Sequence, residues 1–233
     1  MVTPDRSTLY VLDYYGNLTS CSVEGQGMNC SKPVVLANST ETFNLALSPD
    51  GSILYVTNYN SNSVQVCPKS GQIFECGNPT GNSLDEPLGI AISPNGSAAY
   101  IANYNNNTIS ICNISGQILT CGSQISDPSF DAPWGVALSP DGSTLYIANN
   151  NGITVSICKI ISSNSLDCGQ SPEVFTNPVG ITLSPDGSLV YVTNDGTISS
   201  ITICSITAGN FTDCVNSTNS TINGTHPDGV AVY

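Results

Sequence analysis

The sequence predicts an all-β chain folded as a five-bladed β-propeller, with four antiparallel strands per blade and a ring closed by a C-terminal inner strand joining the N-terminal blade. Three observations carry this prediction. A turn motif recurs every 45 or 46 residues, ten cysteines fall into five local pairs, and the last residues repeat a segment that the first repeat lacks.

The turn motif reads Ser48-Pro49-Asp50-Gly51-Ser52, Ser93-Pro94-Asn95-Gly96-Ser97, Ser139-Pro140-Asp141-Gly142-Ser143 and Ser184-Pro185-Asp186-Gly187-Ser188, with Thr3-Pro4-Asp5 as a degenerate first copy. Proline sets φ and glycine accepts φ > 0, so each copy is a tight turn. Ahead of each turn, bulky and small side chains alternate: Leu45-Ala46-Leu47, Ile90-Ala91-Ile92, Val136-Ala137-Leu138 and Ile181-Thr182-Leu183. This is the inner strand, where neighbouring sheets come closest and Ala46, Ala91, Ala137 and Thr182 leave room. After each turn comes the second strand, ending in Tyr55-Val56-Thr57-Asn58, Tyr100-Ile101-Ala102-Asn103, Tyr146-Ile147-Ala148-Asn149 and Tyr191-Val192-Thr193-Asn194, with Tyr10-Val11-Leu12-Asp13 as the degenerate copy. Its tyrosines are expected to pack between blades, and its asparagines to cap the turn that follows.

The third and fourth strands carry the cysteines: Cys21 and Cys30, Cys67 and Cys76, Cys112 and Cys121, Cys158 and Cys168, Cys204 and Cys214. Repeated spacing in an even set argues for disulfides in an oxidising compartment. A zinc site needs closer ligand pairs, often with histidine, and the only histidine is His226. If Cys112 opposes Cys121, then Asn113 faces Thr120, Ile114 faces Leu119 and Ser115 faces Ile118. Gly116-Gln117 is then a two-residue type II′ turn. Gly71-Gln72 and Gly25-Gln26 fall at the same place in their repeats. The last two pairs hold one extra residue, which predicts a longer loop.

The tail His226-Pro227-Asp228-Gly229-Val230-Ala231-Val232 matches the inner strand Ala132-Pro133-Trp134-Gly135-Val136-Ala137-Leu138. The N-terminus starts at its turn, so the tail is expected to complete the first blade of a single domain spanning residues 1–233. An open piece of a larger array is the alternative.

Composition narrows the function classes. Four basic residues, Arg6, Lys32, Lys69 and Lys159, stand scattered against 17 acidic ones, for a net charge of −13. That excludes phosphate-mediated nucleic-acid binding and attachment to anionic membranes. No run of 18 apolar residues predicts insertion into a bilayer. The region after Met1 is polar and runs straight into the first repeat; if the cysteines are oxidised, an export signal is expected to have been removed or to lie outside this sequence. Asn-x-Ser/Thr triplets at Asn17, Asn38, Asn95, Asn106, Asn113, Asn210, Asn216, Asn219 and Asn223 predict covalent N-glycans. Asn29 is a poorer acceptor because Cys30 follows it. An Asn/Ser/Thr-rich chain also generates such triplets by chance.

The Tyr-Val-Thr-Asn runs with their Ser-Pro-Asp-Gly turns resemble YVTN-type β-propeller repeats, akin to lactonase-like and NHL-type propellers. The resemblance covers essentially the whole chain. It implies a propeller in proteins often exported or displayed on cell surfaces. It transfers no catalytic residue, because the matched positions are strand and turn positions.

The residue after each second-strand asparagine reads Tyr14, Tyr59, Tyr104, Asn150 and Asp195. These share one face with the loops leading into the inner strands. Exposed aromatics beside polar loops stack on sugar rings, and the plain alternative is surface decoration. The residue before the inner-strand glycine varies as Leu88, Trp134, Val179 and Asp228, with Phe43 by alignment, and should surround one mouth of the channel. Trp134, the only tryptophan, is the strongest single contact candidate; plugging the mouth is its structural alternative. Asp85, Glu86, Asp127 and Asp131 precede inner strands; they could share that rim and do acid–base work or hold a cation through oxygen. No metal or cofactor signature is present, and no Ser/His/Asp or phosphate-loop motif. The expected role is therefore a secreted or cell-surface, non-catalytic structural or interaction module. Its partners would be glycans or protein, including further copies in a glycosylated surface layer or filament. The alternative is a lactonase-like hydrolase with its site at the channel mouth.

Overall fold

The computed structural model describes residues 1–25, 27–37, 41–71, 73–80, 83–196 and 199–217. Five antiparallel four-stranded sheets form the blades of a five-bladed propeller, with no helix among the described residues. Blade 1 holds Thr8–Leu12, Asn17–Glu24, Gly27–Cys30 and Val34–Val35. Blade 2 holds Thr42–Leu47, Ile53–Asn58, Ser63–Ser70 and Ile73–Phe74. Blade 3 runs Pro87–Ile92, Ala98–Asn103, Thr108–Ser115 and Ile118–Ser126. Blade 4 runs Pro133–Leu138, Thr144–Asn149, Val155–Ser162 and Ser165–Gln170. Blade 5 runs Pro178–Leu183, Leu189–Asn194, Ser200–Thr207 and Asn210–Ser217.

The core lies between blades. Four apolar clusters each join one sheet to the next, and each combines a second-strand tyrosine with the following blade's aliphatics. Tyr10, Tyr55, Tyr100 and Tyr146 are buried there, as their spacing predicted. Each fully buried aliphatic or aromatic side chain stabilises the fold by roughly 1.5–3 kcal/mol. The tightest approach is at Gly89 and Gly135, not at the alanines. A Cβ on Gly89 would lie 2.3 Å from the Trp134 carbonyl oxygen, and one on Gly135 would lie 2.2 Å from that of Val179. Adjacent inner strands therefore touch backbone to backbone at these glycines. The small residues two positions on pack in the interblade clusters instead.

All ten cysteines form the five expected local disulfides, with Cα–Cα distances of 3.9–4.0 Å. In blade 3 the predicted register holds through Ser115↔Ile118, with Gly116 at φ 60°. The first cysteine of each pair is buried, and Cys67, Cys112, Cys158 and Cys204 belong to interblade clusters. The staples thus anchor each hairpin into the core as well as closing it. The extra residue of the last two pairs does not lengthen the loop. It is absorbed as a β-bulge, at Ile161 in blade 4 and between Ile203 and Ser205 in blade 5, and both hairpins keep two-residue turns.

The turn motif builds the end of the propeller opposite the candidate mouth. In each copy an Asp or Asn side chain accepts from the preceding hydroxyl, Thr3 in the first copy and serine in the others, and from the following serine, as Asp50 Oδ1 does from Ser48 Oγ at 2.6 Å and Ser52 N at 3.0 Å. The turn glycine also meets the neighbouring blade: a Cβ on Gly142 would sit 2.9 Å from Pro94 Cδ, and one on Gly187 2.8 Å from Pro140 Cδ.

Blade 1 departs from the sequence reading. The chain does not begin at its turn. Val2 bridges Leu9, the Met1 ammonium donates to the Tyr10 carbonyl at 2.9 Å, and Thr3 N donates to Thr8 O at 2.8 Å. Ala46, Leu47 and Ser48 make the same pattern with Tyr55, Leu54 and Ile53. Residues 1–3 therefore fill the last part of this blade's inner-strand position. The closing strand expected over 226–233 lies outside the described residues, as do Asn38, Asn219, Asn223, Gln26, Gln72 and Asp228. Val11 is 48% exposed, whereas its counterparts Val56, Ile101, Ile147 and Val192 are all 0%. Tyr191 is half-buried rather than buried.

Candidate functional site: an aromatic mouth

Three of the second-strand asparagines do more than cap a turn, whereas Asn58, expected to cap as well, is buried with neither side-chain atom hydrogen-bonded among the described residues. Asn103 is fully buried; its Oδ1 accepts from Asp85 N at 3.1 Å, and its Nδ2 donates to Thr108 Oγ1 at 3.0 Å and Ser110 Oγ at 2.9 Å. Asn149 and Asn194 repeat this arrangement. Each ties its own strand to the third strand and to the loop leading into the inner strand. Only Asp13, in the degenerate copy, caps its own turn, through Tyr15 N and Asn17 N. The next residue locks the same loop from outside. Tyr59, Tyr104, Asn150 and Asp195 donate their backbone N–H to the carbonyls of Glu41, Glu86, Ala132 and Asn177 at 2.9–3.2 Å. All four acceptors sit in the left-handed region, at φ 48–54°. A non-glycine residue there costs about 1–3 kcal/mol, so the surrounding bonds hold the rim in one shape.

This scaffold gathers aromatic rings from several blades into one surface. Phe43 is the hub. It packs edge-on against Tyr14 at 5.8 Å and Trp134 at 5.9 Å, and in a tilted contact with Tyr59 at 5.2 Å. Trp134 in turn meets Tyr104 at 5.6 Å, and Tyr14 meets Tyr15 at 5.6 Å. Six rings are thus continuous. The Phe43–Trp134 contact joins blade 2 to blade 4, spanning the inner end of blade 3. Tyr14 is 45% exposed, Tyr15 75% and Phe43 37%.

Of the residues singled out in the sequence, Trp134, Tyr14, Tyr59 and Tyr104 come together here. Asn150 and Asp195 hold the equivalent rim positions on blades 4 and 5, where the repeat carries no ring. Leu88 and Val179 are buried and present nothing outward. Tyr15 and Glu41 were missed. The Tyr14-Tyr15 doublet and the repeat match of Glu41 to Glu86 were the available signals.

The rim is acidic. The Tyr59 hydroxyl donates to Glu86 Oε2 at 2.7 Å, and that carboxylate, aided by burial, pushes the phenol up to about 12. Tyr14 is also raised, first by packing away from water and then by the charge of Glu41. Asp85 accepts from Asn105 Nδ2 at 3.2 Å, and Asp131, its counterpart in the next repeat, is exposed. Asp127 instead caps a turn through Ser129 N at 2.9 Å. Among the described residues, no three His, Cys, Asp or Glu side chains group closely enough to hold a metal ion. None of the four cations reaches the mouth: Arg6 lies in the opposite turn, Lys69 and Lys159 in outer hairpins, and Lys32 at the edge of blade 1.

A putative 6-phosphogluconolactonase from Bacteroides uniformis superposes with a TM-score of 0.73 at 16% identity, over 98% of this chain and 72% of that one. The hydrazine synthase of Kuenenia stuttgartiensis gives 0.70 at 24% identity, over 93% of this chain and 64% of that one. The periplasmic gluconolactonase of Pseudomonas aeruginosa gives 0.67 at 16%, over 93% and 68%. This chain shares their fold. No protein-family model and no curated protein matches it.

Sequons differ in geometry. Asn113 and Asn210 are exposed on outer hairpins, and their side chains make no hydrogen bond among the described residues. By contrast, the Nδ2 of Asn17 is engaged by Asp13 and that of Asn106 by Gln124.

Proposed function

We propose that this chain is an exported, non-catalytic propeller module that captures saccharides on its aromatic mouth, and that it carries N-glycans, foremost at Asn113 and Asn210. Five disulfides point to an oxidising, extracellular setting. The observation that carries the saccharide reading is the continuous six-ring surface. Isolated exposed aromatics are ordinary, but a contiguous aromatic patch on a rigid rim is a binding feature. Sugar rings offer apolar C–H faces that stack on such surfaces, and the flanking carboxylates and amides supply hydrogen bonds to hydroxyls.

The lactonase names among the structural neighbours favour a second reading, hydrolysis of a lactone, in which the Tyr59–Glu86 pair would face the substrate. A phosphorylated lactone suits the site poorly, because no cation stands at the mouth to meet a dianion. Titration with neutral oligosaccharides separates the readings, using the emission of Trp134, the single tryptophan. Saturable quenching or enhancement that vanishes in Trp134→Phe, confirmed there by calorimetric loss of binding, supports capture. No binding together with steady ring-opening of gluconolactone supports the hydrolase.

A further inference from the structure

We propose that the mouth selects saccharides carrying a protonated amine over neutral and acidic ones. This rests on the saccharide reading above and adds the chemistry of the ligand. Among charged groups, the six-ring surface is edged by acidic side chains alone. Its loops bear Glu41, Glu86, Asp85 and Asp131 and no Lys or Arg, in a chain of net charge −13. An acidic sugar would meet only like charge here. A neutral sugar would gain stacking and hydrogen bonds alone.

An ammonium group gains twice more. Ring faces carry negative potential, so a cation placed over tyrosine or tryptophan is attracted by the quadrupole. Glu86 sits within 2.7 Å of the Tyr59 hydroxyl, which puts a full negative charge at the margin of the ring surface. Glu41 holds the same repeat position as Glu86 on the loop leading into the neighbouring inner strand, and its charge bears on Tyr14. A ligand amine on the Phe43, Tyr14 and Tyr59 rings would therefore meet ring surface together with the Glu86 carboxylate at its margin. Phe43 is 37% exposed and Tyr59 partly exposed, so ring surface remains within reach of such a group. The whole-molecule charge draws a cationic oligomer toward the surface as well.

The test compares three oligomers of equal length: glucosamine, N-acetylglucosamine and a uronic acid. Binding is followed by Trp134 emission and calorimetry at about pH 6, where an ordinary amine is protonated. The glucosamine oligomer should bind at least tenfold more tightly than the acetylated one, and the uronate should not bind. The double variant Glu41→Gln, Glu86→Gln keeps every ring and should lose the tenfold preference while still binding the acetylated oligomer. Raised salt should weaken only the glucosamine complex. Equal affinity for the amine and its acetylated form, or a preference that survives the double variant, overturns this proposal and leaves saccharide capture standing. Failure of all three oligomers to bind overturns saccharide capture itself.

Discussion

At the scale of the residue, the turn carboxylates show one side chain used repeatedly. Asp5, Asp50 and Asp186 are each held down to about 2, first by the hydroxyl of the residue two before them, then by the backbone and side chain two after. Asp141 is lowered in the same way, and Asn95 makes the same bonds with no charge. A folded-state value below the unfolded one, about 3.9, gives stability that is present above pH 4 and lost as pH falls toward 2. Replacing Asp5, Asp50, Asp141 and Asp186 by Asn should lower the melting temperature at pH 7, where the charge-assisted bonds are lost, and flatten its fall between about pH 4 and 2. Thermal melts across that range check this; an undiminished fall in the variant would place the acid sensitivity elsewhere. The role of these residues was legible in the sequence, because an Asx turn is a local bond pattern. That of Asn103 and Asn149 was not, because their partners arrive from residues up to 20 positions away.

At the scale of the element, two kinds of glycine look alike in the sequence and differ in the fold. Gly116 takes φ 60° in an open hairpin turn, and a Cβ there would meet nothing within 4 Å. Gly187 takes φ 71° and would also press a Cβ to 2.8 Å from Pro140 Cδ. Gly116→Ala should therefore cost about 1 kcal/mol and Gly187→Ala roughly 2–4 kcal/mol, the difference being the interblade clash. Denaturant unfolding of the two variants measures this; equal losses would mean the Pro140 contact relaxes freely. Each disulfide closes a loop of about ten residues, which contributes roughly 2–3 kcal/mol in the chain-entropy account. The bulges at Ile161 and between Ile203 and Ser205 show why the sequence misplaced the extra residue. A two-residue turn matches strand twist well enough that the ladder yields before the turn does.

At the scale of the whole molecule, stability is not shared evenly around the propeller. Blades 3 and 4 have long outer strands and are covered on both faces, while blades 1 and 2 have outer strands of two to four residues and blade 1 leaves Val11 exposed. Amide exchange should be slowest in Ala98–Asn103 and Thr144–Asn149 and faster in Thr8–Leu12, with the protection rising from blade 1 toward blade 3. Uniform protection across these second strands would show that the blades open as one unit.

The sequence by itself determined the blade count, the strand order within each blade, the disulfide partners and the register of the first three hairpins. All of these are consequences of local spacing, repeated often enough that chance is a poor account. Only the tertiary structure decided that Phe43, Trp134 and three tyrosines from different blades form one surface, and that Glu41 and Glu86 edge it. A contact between rings 91 residues apart depends on how far the inner strands stand from one another, and Gly89 and Gly135 set that distance through packing that no local pattern records.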